Sequence, residues 1–179
     1  MKLLIMGASG AGATTLGKAL ANQLGIAYFD TDEYFWLPSD PPFTTRRLPE
    51  ERNALLLADL ASAEHAIVGG SVINWGDNWR TIFDHVVFLY LPHDVRMQRL
   101  HAREVERYGT VIFDDAERNK QYRAFMEWAA GYDDNTARGR TLMAHEQWLQ
   151  QLACPVIEIR GDLPIEEKKL IVLAEITPV

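Results

Sequence analysis

Nine residues near the N-terminus carry the clearest chemistry in the chain. They read G-A-S-G-A-G-A-T-T at 7–15, and they follow an apolar run, Lys2–Met6, without a break. Glycines at 7, 10 and 12 permit backbone conformations closed to other residues, so successive amides can converge on an anion at the positive end of a following helix. That is a cradle for phosphate, lined by Gly7, Ser9, Gly10, Ala11, Gly12, Ala13, Thr14 and Thr15. The template G-x-x-x-x-G-K-[S/T] is met at Gly7, Gly12 and Thr14, whose hydroxyl is placed to reach a Mg²⁺ ion.

The lysine position of that template holds Ala13. A lysine there is a point charge on the terminal phosphates, and a hydrogen bond to a charged group contributes about 1.5–3 kcal/mol. Lys18 lies farther along the helix and is expected to point away from the loop mouth. Backbone amides alone still bind phosphate, but charge developing during transfer needs another cation. The same glycines also fit the G-x-x-G-x-x-[G/A] turn of NAD(P)-binding reductases, with Asp30 where a ribose carboxylate would sit. Against that reading stand the paired threonines, the lack of a Y-x-x-x-K pair and the short chain.

The elements that position this loop follow from hydrophobic patterning. Five short apolar runs, Lys2–Met6, Ile26–Phe29, Ala66–Val68, Val86–Leu91 and Pro155–Ile159, predict strands of a parallel sheet buried on both faces. Helix-length segments lie between them: 15–24 with Leu16, Leu20 and Leu24 on one stripe, 49–63 with Leu56 and Leu60, and 140–152 with Trp148 and Leu149. Alternating strands and helices imply an α/β fold with the sheet between helical layers. Two connections, 31–65 and 93–153, are long enough to be functional.

Length and composition set the outer bounds. A chain of 179 residues fits one domain, since domains centre near about 100–150 residues. With 47% hydrophobic and 24% charged residues it can bury a core without disulfides or a structural metal. The net charge of −7 argues against nucleic acid or an anionic membrane as partner. By position, residues 1–29 carry +2 and 80–123 carry +1, whereas 30–79 carry −6 and 124–179 carry −4. The phosphate loop therefore sits in the basic part, and the acidic 30–79 stretch favours a neutral or weakly anionic acceptor. One cysteine, Cys154, suits a reducing cytoplasm, and the five histidines show no zinc-ligand spacing.

The ordered motifs resemble the small P-loop kinases of the adenylate kinase, shikimate kinase and gluconate kinase type, including adenylate-kinase-like bacterial proteins of unassigned substrate. The loop at 7–15 is followed by D-T-D at 30–32, G-G-S at 69–71, an arginine-rich helix after the fourth strand and R-G-D-L-P at 160–164. The resemblance implies a three-layer fold with a five-stranded parallel sheet in order 2-3-1-4-5. It implies ATP and Mg²⁺ as ligands and a small-molecule phosphate acceptor. It also implies an acceptor-side segment at 31–65, a lid near 104–125, and a loop at Arg160–Pro164 against the adenine.

Roles follow for individual residues. Asp30 and Asp32 flank Thr31, and an i, i+2 pair on a strand shares one face, at the carboxyl end where ligands bind in open α/β sheets. By resemblance Asp32 is the acceptor-binding residue or general base, with Asp30 beside it; a helix cap or turn is the other reading for both. Gly69 and Gly70 are expected to let substrate approach the third strand, with Ser71 as a donor. Arg96, Arg99, Arg103 and Arg107 recur as a helical stripe. By resemblance Arg99 and Arg103 match lid-base arginines that clamp the transferring phosphoryl group, substituting for the absent lysine. Arg46 and Arg47 fit either an anionic acceptor or plain surface. Trp36, Trp75 and Trp79 lie on the expected ligand side, where stacking on a base or sugar competes with core packing; Trp128 and Trp148 read as core. Three functions remain open: an ATP-dependent phosphotransferase, a nucleotide-binding protein with weak or lost catalysis, and a reductase-like dinucleotide binder.

Overall fold

A computed structural model of the chain describes residues 1–176. The elements run β1 (Lys2–Gly7), α1 (Ala13–Leu24), β2 (Ala27–Asp30), α2 (Thr31–Phe35), α3 (Pro49–Ser62), β3 (Ala66–Gly69), β4 (His85–Tyr90), α4 (His93–Tyr108), α5 (Val111–Asp114), α6 (Ala116–Ala130), α7 (Leu142–Leu149), β5 (Val156–Arg160) and α8 (Ile165–Ile176). All five expected strands form, with boundaries shifted by a residue or two. They pair in parallel in the order β2-β3-β1-β4-β5. Placing β3 between β2 and β1 fits the kinase-type order and overturns the dinucleotide reading, whose first three strands run 3-2-1.

The alternate faces of β1 show why the sheet needs helices on both sides. Leu4 and Met6 enter a core with Leu56, Leu60, Trp79, Phe88 and Trp148, whereas Leu3 and Ile5 enter a second with Leu16, Leu20, Val87 and Val172. Period-two alternation therefore feeds two apolar layers from one uninterrupted apolar run. The carboxyl ends of β1, β2 and β3 consequently open on a common edge, set by the register that pairs Ile5 with Gly69 and Gly69 with Asp30.

The long connections resolve into helices and turns. After β2 the chain enters α2 at once, loops through 36–48 and continues as α3. The loop is held by an antiparallel bridge between Trp36 and Arg46 and by hydrogen bonds from Leu37 N to Thr45 O (2.8 Å) and Arg47 N to Phe35 O (2.8 Å). Between β4 and β5 lie α4 to α7, and the segment read as a lid falls on the end of α4, α5 and the first part of α6.

Candidate functional site

The glycine-rich turn has the backbone its sequence demands. Gly10 and Gly12 adopt φ of 86° and 98°, and the turn closes with Ala11 N on Ala8 O at 3.0 Å before α1 begins at Ala13. A Cβ at Gly10 would press on Leu100, so that glycine serves packing. At Gly12 no atom lies within 4 Å of a Cβ position, so its space is open to a ligand. No side chain caps the N-terminus of α1. Free amides, the positive end of the helix and open space together fit a bound phosphate group.

Thr14 connects this turn to the D-T-D segment. Its Oγ1 donates to Asp30 Oδ2 at 3.1 Å, and Tyr28 OH donates to the same oxygen at 3.1 Å. Asp30 Oδ1 accepts from Asp32 N at 3.1 Å as the N-cap of α2. The strand argument for the pair needs correction, because the chain turns helical at Thr31 and only Asp30 belongs to β2. Asp30 is a hub that fixes Thr14 and starts α2, and α2 then presents Asp32. Thr14 and Asp30 are oxygen groups that could hold a Mg²⁺ ion beside phosphate. Among the described residues no group of three or more His, Cys, Asp or Glu side chains forms a metal cage.

Asp32 keeps access to solvent, yet protein crowds its carboxyl from the sides. That desolvation, followed by repulsion from Asp30, raises its pKa above the ordinary value, while Arg140, Arg103 and Arg107 pull it the other way. Asp32 thus lies within the field of three arginines on the lid side.

The arginine stripe of α4 divides by partner. Arg96 is fully buried, donates to Asp133 Oδ2 at 2.6 Å and approaches Ser9 O at 3.5 Å. Arg99 pairs with Asp162 at 2.5 Å, joining α4 to the loop after β5. Arg103 lies 2.9 Å from Glu104 Oε1, which Arg107 approaches at 4.0 Å. Arg107 also sits over the Phe43 ring at 4.9 Å, so the acceptor-side loop touches the lid base. Of the acceptor-side arginines, Arg46 covers Phe35 and Trp36, and Arg47 bonds to Tyr34 O and Glu51.

Several expected acceptor contacts turn out to be internal. The space a Cβ would need is filled by the Tyr28 ring at Gly69 and by Thr31 at Gly70, where φ is 113°; close packing of protein on protein requires these glycines. Ser71 is buried, its Oγ 3.1 Å from His145 Nε2, and His145 Nδ1 lies 2.6 Å from Tyr132 OH. Burial, reinforced by the charge of Arg140, pushes the His145 pKa down to about 3, so the ring is neutral and donates at one nitrogen while accepting at the other. Trp75 and Trp79 pack edge to face in the core, and Trp79 has no exposed surface.

Two residues to which the sequence pattern gave no place in the site stand at the loop mouth. Arg140 and Trp128 line a small cavity with Ala8, Ser9, Arg96, Ala129 and Tyr132. Trp128, expected in the core, is half-buried; its Nε1 donates to Arg138 O at 3.0 Å and its ring lies 5.2 Å beneath the Arg140 guanidinium. On the acceptor side Arg52 is buried, stacked 4.3 Å from Trp75 and bonded through NH2 to Asn74 O at 3.4 Å. Asn74 Nδ2 in turn donates to Gly139 O at 3.3 Å, so Arg52 and Arg140 belong to one wall. The R-G-R run at 138–140, just before the cap residue Thr141, was the available sequence signal for Arg140.

Sheet order, glycine turn and the carboxylate beside it define the fold of the P-loop small-molecule kinase family, a class with kinase-like nucleotide binding. The chain belongs to the AAA domain family (AAA_18), which it matches over residues 3–121. It is 42% identical to the uncharacterized protein YqaC of Bacillus subtilis (strain 168) over 92% of this chain and 90% of that one. Shikimate kinase of Thermosynechococcus vestitus is 33% identical over 55% of this chain and 58% of its own length. In fold it is similar to the crystal structure of shikimate kinase from Bacteroides thetaiotaomicron, with a TM-score of 0.59 and 18% identity, covering 98% of this chain and 97% of that chain.

Proposed function

We propose that this chain is an ATP-dependent phosphotransferase acting on a hydroxyl group of a small molecule. The observation that carries the reading is the connection from the glycine turn through Thr14 and Asp30 to Asp32, which puts a raised-pKa carboxylate beside a phosphate cradle. The amides of 7–15 would hold the ATP phosphates, and Thr14 would hold a Mg²⁺ ion, which would supply positive charge against the phosphate oxygens. Asp32 accepts the proton of the acceptor hydroxyl, whose oxygen forms the new bond to the γ-phosphorus as the bond to the bridging oxygen breaks and ADP leaves. The 36–48 loop, meeting the lid base at Phe43 and Arg107, screens this step from water.

The acceptor wall narrows the expectation of a neutral or weakly anionic acceptor toward the anionic one. Arg52 is buried against Trp75 and Phe35 and forms no ion pair with a described carboxylate. Burial lowers its pKa, although a guanidinium stays charged at neutral pH. A buried cation whose opposing charge, Glu50, makes no ion pair with it favours an acceptor that carries an anionic group. Similarity to shikimate kinases, whose name denotes an acceptor bearing a carboxylate, supports this class.

A second reading, a nucleotide-binding protein with weak catalysis, is favoured by Ala13 alone. A transfer assay with radiolabelled ATP across hydroxy acids, neutral polyols and nucleosides separates the two. Phosphorylated product from a hydroxy acid, abolished by Asp32→Asn, is the expected outcome. Nucleotide binding with no transfer to any class would favour the second reading.

A further inference from the structure

Ala13 begins α1, so no cation projects from the position where the loop template has its lysine. The cations around the site can each be followed to a partner. Lys18 lies over the Tyr28 ring, 5.8 Å from its centre and off the loop mouth. Arg96 is neutralised by Asp133, Arg99 by Asp162, and Arg103 and Arg107 share Glu104. Arg52 stacks within the acceptor wall.

Arg140 differs from these in its place. It lines the cavity against Ala8 and Ser9 of the glycine turn without an ion pair to a described carboxylate, its first opposing charge being the Asp32 carboxylate beyond ion-pair distance. Its backbone is fixed from both sides. Gly139, at φ 85°, is bonded through its carbonyl to Asn74, and Thr141 caps α7 by accepting from Ala144 N at 3.1 Å. The Trp128 ring beneath the guanidinium adds a flat aromatic support. Such a held planar fork, partly desolvated and facing a phosphate cradle, is completed electrostatically by an anion.

We propose that Arg140 supplies the charge on the terminal phosphate of the bound nucleotide that a loop lysine would otherwise supply, reaching it from the far wall of the cleft. This rests on the reading of residues 7–15 as an ATP site. The resemblance had pointed to Arg99 and Arg103 for that task, but both are committed to carboxylates. A guanidinium approaching from outside the loop also explains how position 13 can carry a methyl group while the rest of the template is kept.

Calorimetric titration of the full chain with Mg·ATP and Mg·ADP, without acceptor, tests the proposal. The wild type is expected to prefer ATP. Arg140→Gln is expected to weaken ATP binding about 10- to 100-fold and ADP binding less than about 3-fold, the size of one lost hydrogen bond to a charged group. Adding Ala13→Lys to that variant should restore the ATP preference, and Arg140→Lys should keep part of it. An unchanged ATP-to-ADP ratio in Arg140→Gln, or no restoration by Ala13→Lys, would overturn the proposal. If Arg140→Gln does not fold, Ala13→Lys alone decides. A change in ATP affinity under about 3-fold supports a charge already in place, and a larger gain overturns it. A wild type that binds neither nucleotide would instead remove the ATP-site reading on which the proposal rests.

Discussion

Thr14 and Asp30 are joined by a hydrogen bond of 3.1 Å, which ties the end of the phosphate loop to the start of the segment that carries Asp32. Loop and carboxylate are therefore one unit. On the proposed reading, a change at Thr14 is felt both by a Mg²⁺ ion held there and by the D-T-D turn. Thr14→Val, similar in shape but without the hydroxyl, is expected to abolish the tightening of ATP binding by Mg²⁺. Titrations with ATP, with and without the metal, check this; an undiminished effect of Mg²⁺ would place the ion elsewhere.

Asp32 should govern the acid limb of a pH–rate profile. Its pKa is raised, so the limb lies at higher pH than for an ordinary carboxylate, and activity falls as protons bind below it. Arg140 is the first opposing charge, so its removal pushes the Asp32 pKa higher still. In Arg140→Gln the limb of kcat/KM is expected to move upward in pH. A limb that stays put or moves down would separate the two groups.

His145 predicts a distinct pH effect, on stability. The folded chain keeps the ring neutral to about pH 3, whereas an unfolded histidine binds its proton near pH 6.5. As pH falls through that window the unfolded state gains the proton and stability is lost. Between pH 7 and pH 5 this amounts to about 2 kcal/mol, at about 1.4 kcal/mol per pH unit below the unfolded value. His145→Gln should lack this component in urea denaturation at the two pH values. An equal loss in variant and wild type would contradict it.

Gly70 tests the packing behind the acceptor loop. At φ 113° and with Thr31 filling the space for a Cβ, Gly70→Ala has neither a relaxed backbone nor room. It is expected to cost about 2–4 kcal/mol in denaturant unfolding. A change below about 0.5 kcal/mol, the usual scale of a neutral surface substitution, would contradict the assignment.

The fold was legible because its signals are local. The apolar run ending in glycines at Met6–Gly7 and the repeated short runs after it carry a parallel sheet in their sequence alone. The loop was legible for the same reason, since Gly7, Gly12 and Thr14 act through spacing on one turn. What spacing does not encode is which side chains return from afar. Arg140 is brought to Ser9 by the reversal between α6 and α7, closed by Leu142 N on Tyr132 O at 2.9 Å. Trp128 looked like core because half of a helix face usually is. Ser71 and Gly70 looked like ligand contacts because the protein groups that occupy their surroundings, His145 and Thr31, come from other elements. Charge summed along 30–79 does not register that one of its three cations, Arg52, is buried.

On the proposed reading the turn at 7–15 holds the phosphates of a nucleoside triphosphate, which a titration reads out. Gly12 is the position to change, because its φ of 98° disfavours a side chain and a side chain there would fill the open space that suits a ligand. Calorimetry with Mg·ATP and with NADPH, on wild type and Gly12→Val, is predicted to give ATP binding to the wild type that the variant loses, and no NADPH binding to either. Binding of NADPH without ATP, or ATP binding that survives at Gly12→Val, would contradict the account.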